Sequence, residues 1–146
     1  MCNNKFTIKN TLKISLCLQN STLEVLDIGH CDIGEAGMSA IGTALVRSKL
    51  RFLKAACNQC GDPAAKAIAL ALGEPLTRLE KLDLSNNGVS DSAGRIFAVS
   101  LANNKLLRKL DLSKNELSSE TGELLSSSLR LNTTLVSLNL EENPRM

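Results

Sequence analysis

One pattern returns five times along this chain at an almost constant interval. The segments that follow it begin at Leu23, Leu50, Leu79, Leu107 and Leu135. Each start follows the previous one after about 28 residues. Each segment reads L-x-x-L-x-(L/I/A)-x-x-(N/C). A fixed period of this kind predicts a chain of stacked structural repeats, because one such unit cannot bury its apolar face alone.

Each repeat has two halves with different periods. In the first half, Leu82 and Leu84 alternate with Lys81 and Asp83, and a period of two predicts a short strand. Apolar residues at helical spacing follow in the second half: Met38, Ile41 and Leu45; Ile96, Phe97, Val99 and Leu101; Leu124, Leu125 and Leu129. This alternation predicts an α/β solenoid with a curved parallel sheet on the concave side and helices on the convex side. It would hold four or so full repeats, each roughly 27–29 residues long, and partial terminal repeats.

The boundaries of these elements follow from local signals. Asp91 and Ser119 are the predicted N-caps of the two later helices, since short polar side chains can accept hydrogen bonds from the first free N–H groups. Residues 11–146 are predicted to form a single domain, and residues 1–10 a poorly ordered N-terminal segment. Leu135 to Leu140 are expected to form the last strand, paired with Leu107 to Leu112 on one side only.

The ninth position of every repeat is polar or small, at the point where the chain leaves the strand. Here an inward asparagine can bond the unpaired backbone groups of neighbouring turns. A structural ladder is therefore predicted at these positions, in which the cysteine lacks the full amide capacity: Cys31, Asn58, Asn87, Asn115 and Asn143.

These residues resemble the ribonuclease-inhibitor-like class of leucine-rich repeats, whose pattern L-x-x-L-x-L-x-x-N-x-L is complete from Leu107. The first two repeats depart from this pattern. In the first, the interval from Cys31 to Gly37 is one residue shorter than the interval from Asn115 to Gly122. In the second, Ala64 stands where the glycine is expected. The resemblance implies a leucine-rich-repeat solenoid. It does not choose among the uses of this fold, which include ribonuclease inhibition, ligand sensing in innate immune receptors, activation of the Ran GTPase and roles in the axoneme.

Composition narrows the class of partner. The net charge is +2, from 17 basic and 15 acidic residues, and this balance opposes general binding to nucleic acid or to an anionic membrane. Three phenylalanines are the only aromatic residues, so base stacking has little support. The five cysteines are irregularly spaced and no targeting segment is visible. We expect a cytoplasmic protein, with the nucleus and the axoneme left open.

No residue set predicts catalysis, a metal site or a cofactor, so we expect a protein that is not an enzyme. Cys57 and Cys60 form a C-x-x-C, but Cys60 occupies an inward position and no thioredoxin-like unit surrounds it. A zinc site is the alternative, because His30 and Cys57 hold the same position in adjacent repeats and Cys31 is near in sequence.

The outward strand positions are the predicted partner-binding surface, on the concave face. They are Val25, Asp27, Phe52, Lys54, Lys81, Asp83, Lys109, Asp111 and Asn139. Phe52 beside Val25 is the predicted hot spot, with lysines for charge complementarity. The alternative is that the N-terminal segment covers Phe52.

The predicted function is a non-catalytic protein-interaction module or scaffold, within a larger complex or a longer solenoid. Its partner would be another protein. The alternative is a regulator that activates a GTPase, as the Ran-type proteins do, or that resembles the ribonuclease inhibitor.

Overall fold

In the computed structural model, which describes residues 7–146, helices and strands alternate along the whole chain. The five helices and five strands of the described residues are α1 (Ile8–Asn20), β1 (Val25–Asp27), α2 (Gly34–Leu45), β2 (Phe52–Lys54), α3 (Gly61–Gly73), β3 (Lys81–Asp83), α4 (Asp91–Asn103), β4 (Lys109–Asp111), α5 (Ser119–Leu129) and β5 (Ser137–Asn139). The fold is the predicted leucine-rich-repeat solenoid.

All five strands lie in one parallel sheet, in the order β1-β2-β3-β4-β5. Each strand pairs with the next in the chain because a repeat contributes one strand and one helix before the pattern returns. The central residue of every strand is a leucine that points away from the concave face: Leu26, Leu53, Leu82, Leu110 and Leu138. The last strand, β5, pairs with β4 as predicted, but it spans only Ser137–Asn139 within the predicted segment from Leu135 to Leu140.

The core lies between this sheet and the layer of helices. Ile41, Ile68, Phe97 and Leu125 each occupy the same inward position of successive helices, and all four are buried. They recur along the chain at the same intervals as the strands do. The prediction of the apolar helix face is wrong at three positions. Val99 is 66% exposed, because it lies on the outer surface of α4 while Phe97 and Leu101 turn inward, and Leu124 and Leu129 of α5 are 37% and 36% exposed.

The N-caps of the two later helices lie one residue earlier than the sequence indicated. Ser90 and Ser118 are the N-caps, and their hydroxyl oxygens accept from the N–H of Ser92 and Glu120. The prediction of Asp91 as an N-cap is wrong, since its carboxylate instead accepts hydrogen bonds from the following repeat. Ser119 is likewise the first helical residue and not the cap.

Helices α2 and α3 begin with a glycine at the position where α4 and α5 have a serine cap. Gly34 and Gly61 stand one repeat apart, at the repeat position of Ser90, and they have positive φ angles of 73° and 64°. By the same spacing Gly37 is equivalent to Ala93, and not to Gly94 or Gly122. The loop between β1 and α2 (residues 28–33) is therefore one residue shorter than the loop between β4 and α5 (residues 112–118), because α2 begins where the later repeats place the serine cap.

The first helix begins inside the predicted N-terminal segment. Thr7 caps α1, and Ile8 to Asn10 are helical, whereas residues 1–6 lie outside the described residues. Thr11, Ser15 and Leu18 form the buried side of α1. Within residues 7–146, no helix is long and apolar enough to cross a membrane.

Candidate functional site

The concave face is built from the first and third residues of each strand. The first row consists of Val25, Phe52, Lys81, Lys109 and Ser137, and the second row of Asp27, Lys54, Asp83, Asp111 and Asn139. Because the strands are parallel and in register, each row runs straight across the sheet at about 4.8 Å per strand. The structure thus brings all nine residues predicted for partner binding onto one surface.

The first row is apolar at one end and basic in its middle. Val25 is 50% exposed and lies beside the partly buried Phe52. The ammonium group of Lys81 lies 4.5 Å from the centroid of the Phe52 ring, and the guanidinium carbon of Arg51 lies 5.4 Å from it. Such cation–π contacts are electrostatically favourable and hold the ring in a fixed place. Of the N-terminal segment that would cover Phe52 in the alternative prediction, residues 7–10 form the cap and first turn of α1, and residues 1–6 lie outside the described residues.

The second row is mainly acidic. Lys54 Nζ lies 3.5 Å from Asp27 Oδ2, which compensates the charge at the β1 end. Asp83 and Asp111 lie on adjacent strands, and each accepts hydrogen bonds from the serine two positions later. Asn139 Nδ2 also donates to Asp111 Oδ2 at 3.0 Å. The carboxylates of Asp83 and Asp111 are thus held by neutral donors.

A shallow groove of about 430 Å³ runs along both rows from Val25 to Asn139. It is lined by residues of both rows and by Leu53, Leu82 and Leu110, the central residues of β2, β3 and β4. The groove is wide and open, which suits a segment of another macromolecule better than an enclosed small molecule.

Beside this groove lies an ion-pair network that the repeat pattern did not predict. Arg51 Nε donates to Glu80 Oε1 at 2.7 Å and a terminal nitrogen of Arg51 lies 3.4 Å from Glu24 Oε2. The hydrogen bond from Arg51 lowers the pKa of the Glu80 carboxyl, and the same bond raises the pKa of Arg51. Glu24, Arg51 and Glu80 hold the position just before the strand in successive repeats, so their alternating charges were a usable signal.

The ladder side chains link each repeat to the one before it. Asn58, Asn87 and Asn115 are buried, and each amide oxygen accepts two backbone N–H groups of the preceding repeat. Asn143 Oδ1 accepts from Leu117, and the Cys31 thiol donates to the carbonyl of Gly29 at 3.4 Å. Hence these residues serve the scaffold that supports the face and do not take part in it.

Two further asparagines make a second set of such links where the helices end. Asn104 Nδ2 donates to the carbonyl of Leu72 at 2.7 Å, and Asn132 Nδ2 donates to that of Leu101 at 2.7 Å. Their amide oxygens accept from the N–H groups that open the next strand segment, at Leu107 and Leu135. The repeat pattern did not reveal them, because the same position, three residues before the first leucine of a repeat, is Asn20, Arg47 and Leu76 in the earlier repeats.

Four cysteines and one histidine lie within residues 7–146, and all four cysteines are present as thiols. Cys60 is 0% exposed, and burial, with smaller contributions from Glu35 and Asp62, raises the pKa of its thiol to about 12. Cys57 is partly exposed, and its sulfur accepts from Asn86 Nδ2 at 3.2 Å. Among residues 7–146, no group of three or more histidine, cysteine or acidic side chains is placed to hold a metal ion. The structure therefore does not assemble the alternative zinc site.

Comparison with known proteins agrees with this architecture. A family model described as "Leucine Rich repeat" matches residues 19–42, 76–95 and 103–126. The chain contains leucine-rich repeats. Comparison with curated proteins gives no match.

Among solved structures, the leucine-rich-repeat fold of this chain is similar to "Leiomodin-1 Actin-Binding Site 2 (ABS2)". That likeness has a TM-score of 0.78 and 19% sequence identity, and it covers 92% of this chain and 80% of the other. At this identity the comparison shows a shared fold. The ribonuclease-inhibitor-like subclass is not distinguished by either comparison.

Proposed function

We propose that this chain is a non-catalytic protein-interaction module that binds a partner protein through its concave face. The observation that carries the proposal is the apolar pair of Val25 and Phe52, set beside Lys81 on a wide groove. An apolar patch with a charged rim is typical of the centre of a protein interface. The repeat residues behind it are rigidly bonded, so the face is preorganised.

The comparisons support a protein partner without naming one. The leiomodin structure carries the words "Actin-Binding Site" in its title, so a solenoid of similar fold is used to bind a protein. We also place the chain in the ribonuclease-inhibitor-like class, because each repeat is roughly 28 residues long. The length of helices α2 to α5, which contain 11–13 residues each, supports the same placement.

The test is affinity capture of cellular proteins by the wild-type chain and by the double variant Phe52→Ala/Lys81→Glu. We expect the double variant to lose its specific partners, because it removes the apolar anchor and reverses the neighbouring charge. Leu70→Ala/Lys66→Glu on the outer surface of α3 is the matched control and should retain them. If the concave variant captures the same proteins as the wild type, the concave face is not the binding surface.

A further inference from the structure

The two rows of the concave face differ in charge, and this difference constrains what can bind there. Lys81 and Lys109 lie on adjacent strands in the first row, and Lys109 is exposed and makes no ion pair within residues 7–146. By contrast, Asp83 and Asp111 in the second row already accept hydrogen bonds from neighbouring serines. The cationic pair is therefore the part of the face that is most open to a partner of opposite charge.

We propose that the face binds an amphipathic helix of a partner protein, which lies across the strands. On one side this helix carries two apolar side chains one turn apart and, one turn farther, a carboxylate. The apolar side chains contact Val25 and Phe52, and the carboxylate lies between Lys81 and Lys109. The inference rests on the proposed function and adds to it the secondary structure and the chemical pattern of the partner segment.

The spacing of the strands matches the repeat of a helix. Along the row, Phe52 lies one strand separation from Val25, about 4.8 Å, and the middle of the Lys81–Lys109 pair lies two and a half separations from it, about 12 Å. Residues i+3 and i+7 of a helix lie about 4.5 Å and 10.5 Å from residue i. In an extended peptide the next two residues on the same side lie about 6.7 Å and 13.4 Å away, so the first of them passes Phe52 by about 2 Å.

The arrangement of charges selects a carboxylate at this place. An acidic side chain between two lysines makes charge-assisted hydrogen bonds, while a basic one would meet two like charges. The row of Asp83 and Asp111 alongside favours a lysine or arginine on the neighbouring flank of the same helix. A helix with opposite charges on its two flanks therefore fits both rows at once.

The probe is a short alanine-based helical peptide with leucine at i and i+3 and glutamate at i+7. A second peptide has lysine in place of the glutamate, and a third moves the glutamate to the opposite side of the helix. Each is titrated into the full ¹⁵N-labelled chain and followed by NMR. We expect the first peptide to shift the amide signals of Phe52, Lys81 and Lys109, and to bind roughly tenfold tighter than the other two at low salt.

Charge reversal on the protein gives the complementary test. Lys109→Glu leaves one positive and one negative side chain around the bound carboxylate, so it should abolish the preference, and the glutamate and lysine peptides should bind about equally. The matched control is Lys105→Glu, an exposed lysine off the concave face, which should keep the original order. The inference is wrong if the glutamate peptide does not bind, if all three peptides bind equally, or if the shifted signals lie on the helices.

The two proposals can fail separately. Suppose that the double variant Phe52→Ala/Lys81→Glu loses its cellular partners while the glutamate peptide fails to bind or shows no preference. In that case the concave face binds proteins, but the proposal of a helical ligand is wrong. If that variant keeps all partners, the proposed function itself is wrong.

Discussion

The amide oxygen of Asn87 accepts the backbone N–H of Asn58, 3.0 Å away in the preceding repeat. The same oxygen accepts the N–H of Cys60, and the amide nitrogen donates to the carbonyl groups of Ala55 and Ser85. All of these groups belong to the tight turns that follow the strands. One side chain thus completes the hydrogen bonding of two repeats.

Asn87→Ala should destabilise the chain by about 3 kcal/mol or more, because it leaves two buried N–H groups without acceptors and each costs about 1–3 kcal/mol. Urea unfolding followed by circular dichroism measures the loss. Asn103→Ala at the exposed end of α4 is the control, and it should change stability by less than about 0.5 kcal/mol. Equal stability of the two variants would show that the ladder bonds are not needed.

Gly94 and Gly122 occupy equivalent positions but differ in the room beside them. A Cβ at Gly94 would lie 2.7 Å from Thr121 Cγ2, so Gly94→Ala should cost about 1–3 kcal/mol through overpacking. A Cβ at Gly122 would lie 3.5 Å from Met146 Cε, an ordinary contact. Gly122→Ala should therefore stabilise by about 0.5–1 kcal/mol, as expected for alanine in a helix. Thermal unfolding of the two variants measures these changes in stability. If Gly122→Ala destabilised the chain as much as Gly94→Ala, the difference in packing between the two positions would be contradicted.

Asp91 should make the folding stability of the chain depend on pH. Hydrogen bonds from Ser118 and Thr121 lower the pKa of its carboxyl from 3.8 to about 2. A lowered pKa in the folded state means that the contribution is fully present above about pH 4 and is lost as the pH falls towards 2. Because the group is partly exposed, we expect about 1 kcal/mol at neutral pH.

The variant Asp91→Asn isolates this contribution. It should be less stable than the wild type by about 1 kcal/mol at pH 7, and the difference should vanish near pH 2. Glu123→Gln on the exposed side of α5 is the control, and it should change stability by less than about 0.5 kcal/mol. A difference between wild type and Asp91→Asn that is the same at both pH values would contradict the assignment.

The last strand should be the least protected part of the sheet. The N–H groups of Lys81 and Ser137 make the same bond, to the carbonyl of the residue before the preceding strand. Leu138 is only partly buried, however, while Leu82 is 2% exposed. We expect amide hydrogen exchange at Ser137 to be roughly tenfold faster than at Lys81. Equal exchange in a monomeric sample would show that the C-terminal turn, tied by Ser119 to the carbonyl of Arg145, caps the sheet fully.

Much of the fold and of the candidate face followed from periodicity alone. The leucine spacing predicted which residues pair across the sheet, and so it placed Phe52, Lys81 and Lys109 in one row. This works because a solenoid is nearly one-dimensional, and each repeat contacts mainly its two neighbours. Equivalent positions in the sequence then become neighbours in space.

The sequence by itself therefore determined the repeat, the strand register, the inward leucines and the residues of the concave face. The tertiary structure alone decided which side chains bond between repeats: Lys81 over Phe52, Asp91 with Ser118, and Asn104 with Leu72. It also decided that α2 begins with Gly34, at the repeat position of the later serine caps, and that Val99 lies outside. Those outcomes depend on the rotation of each helix and on side-chain rotamers, and a repeat period specifies neither.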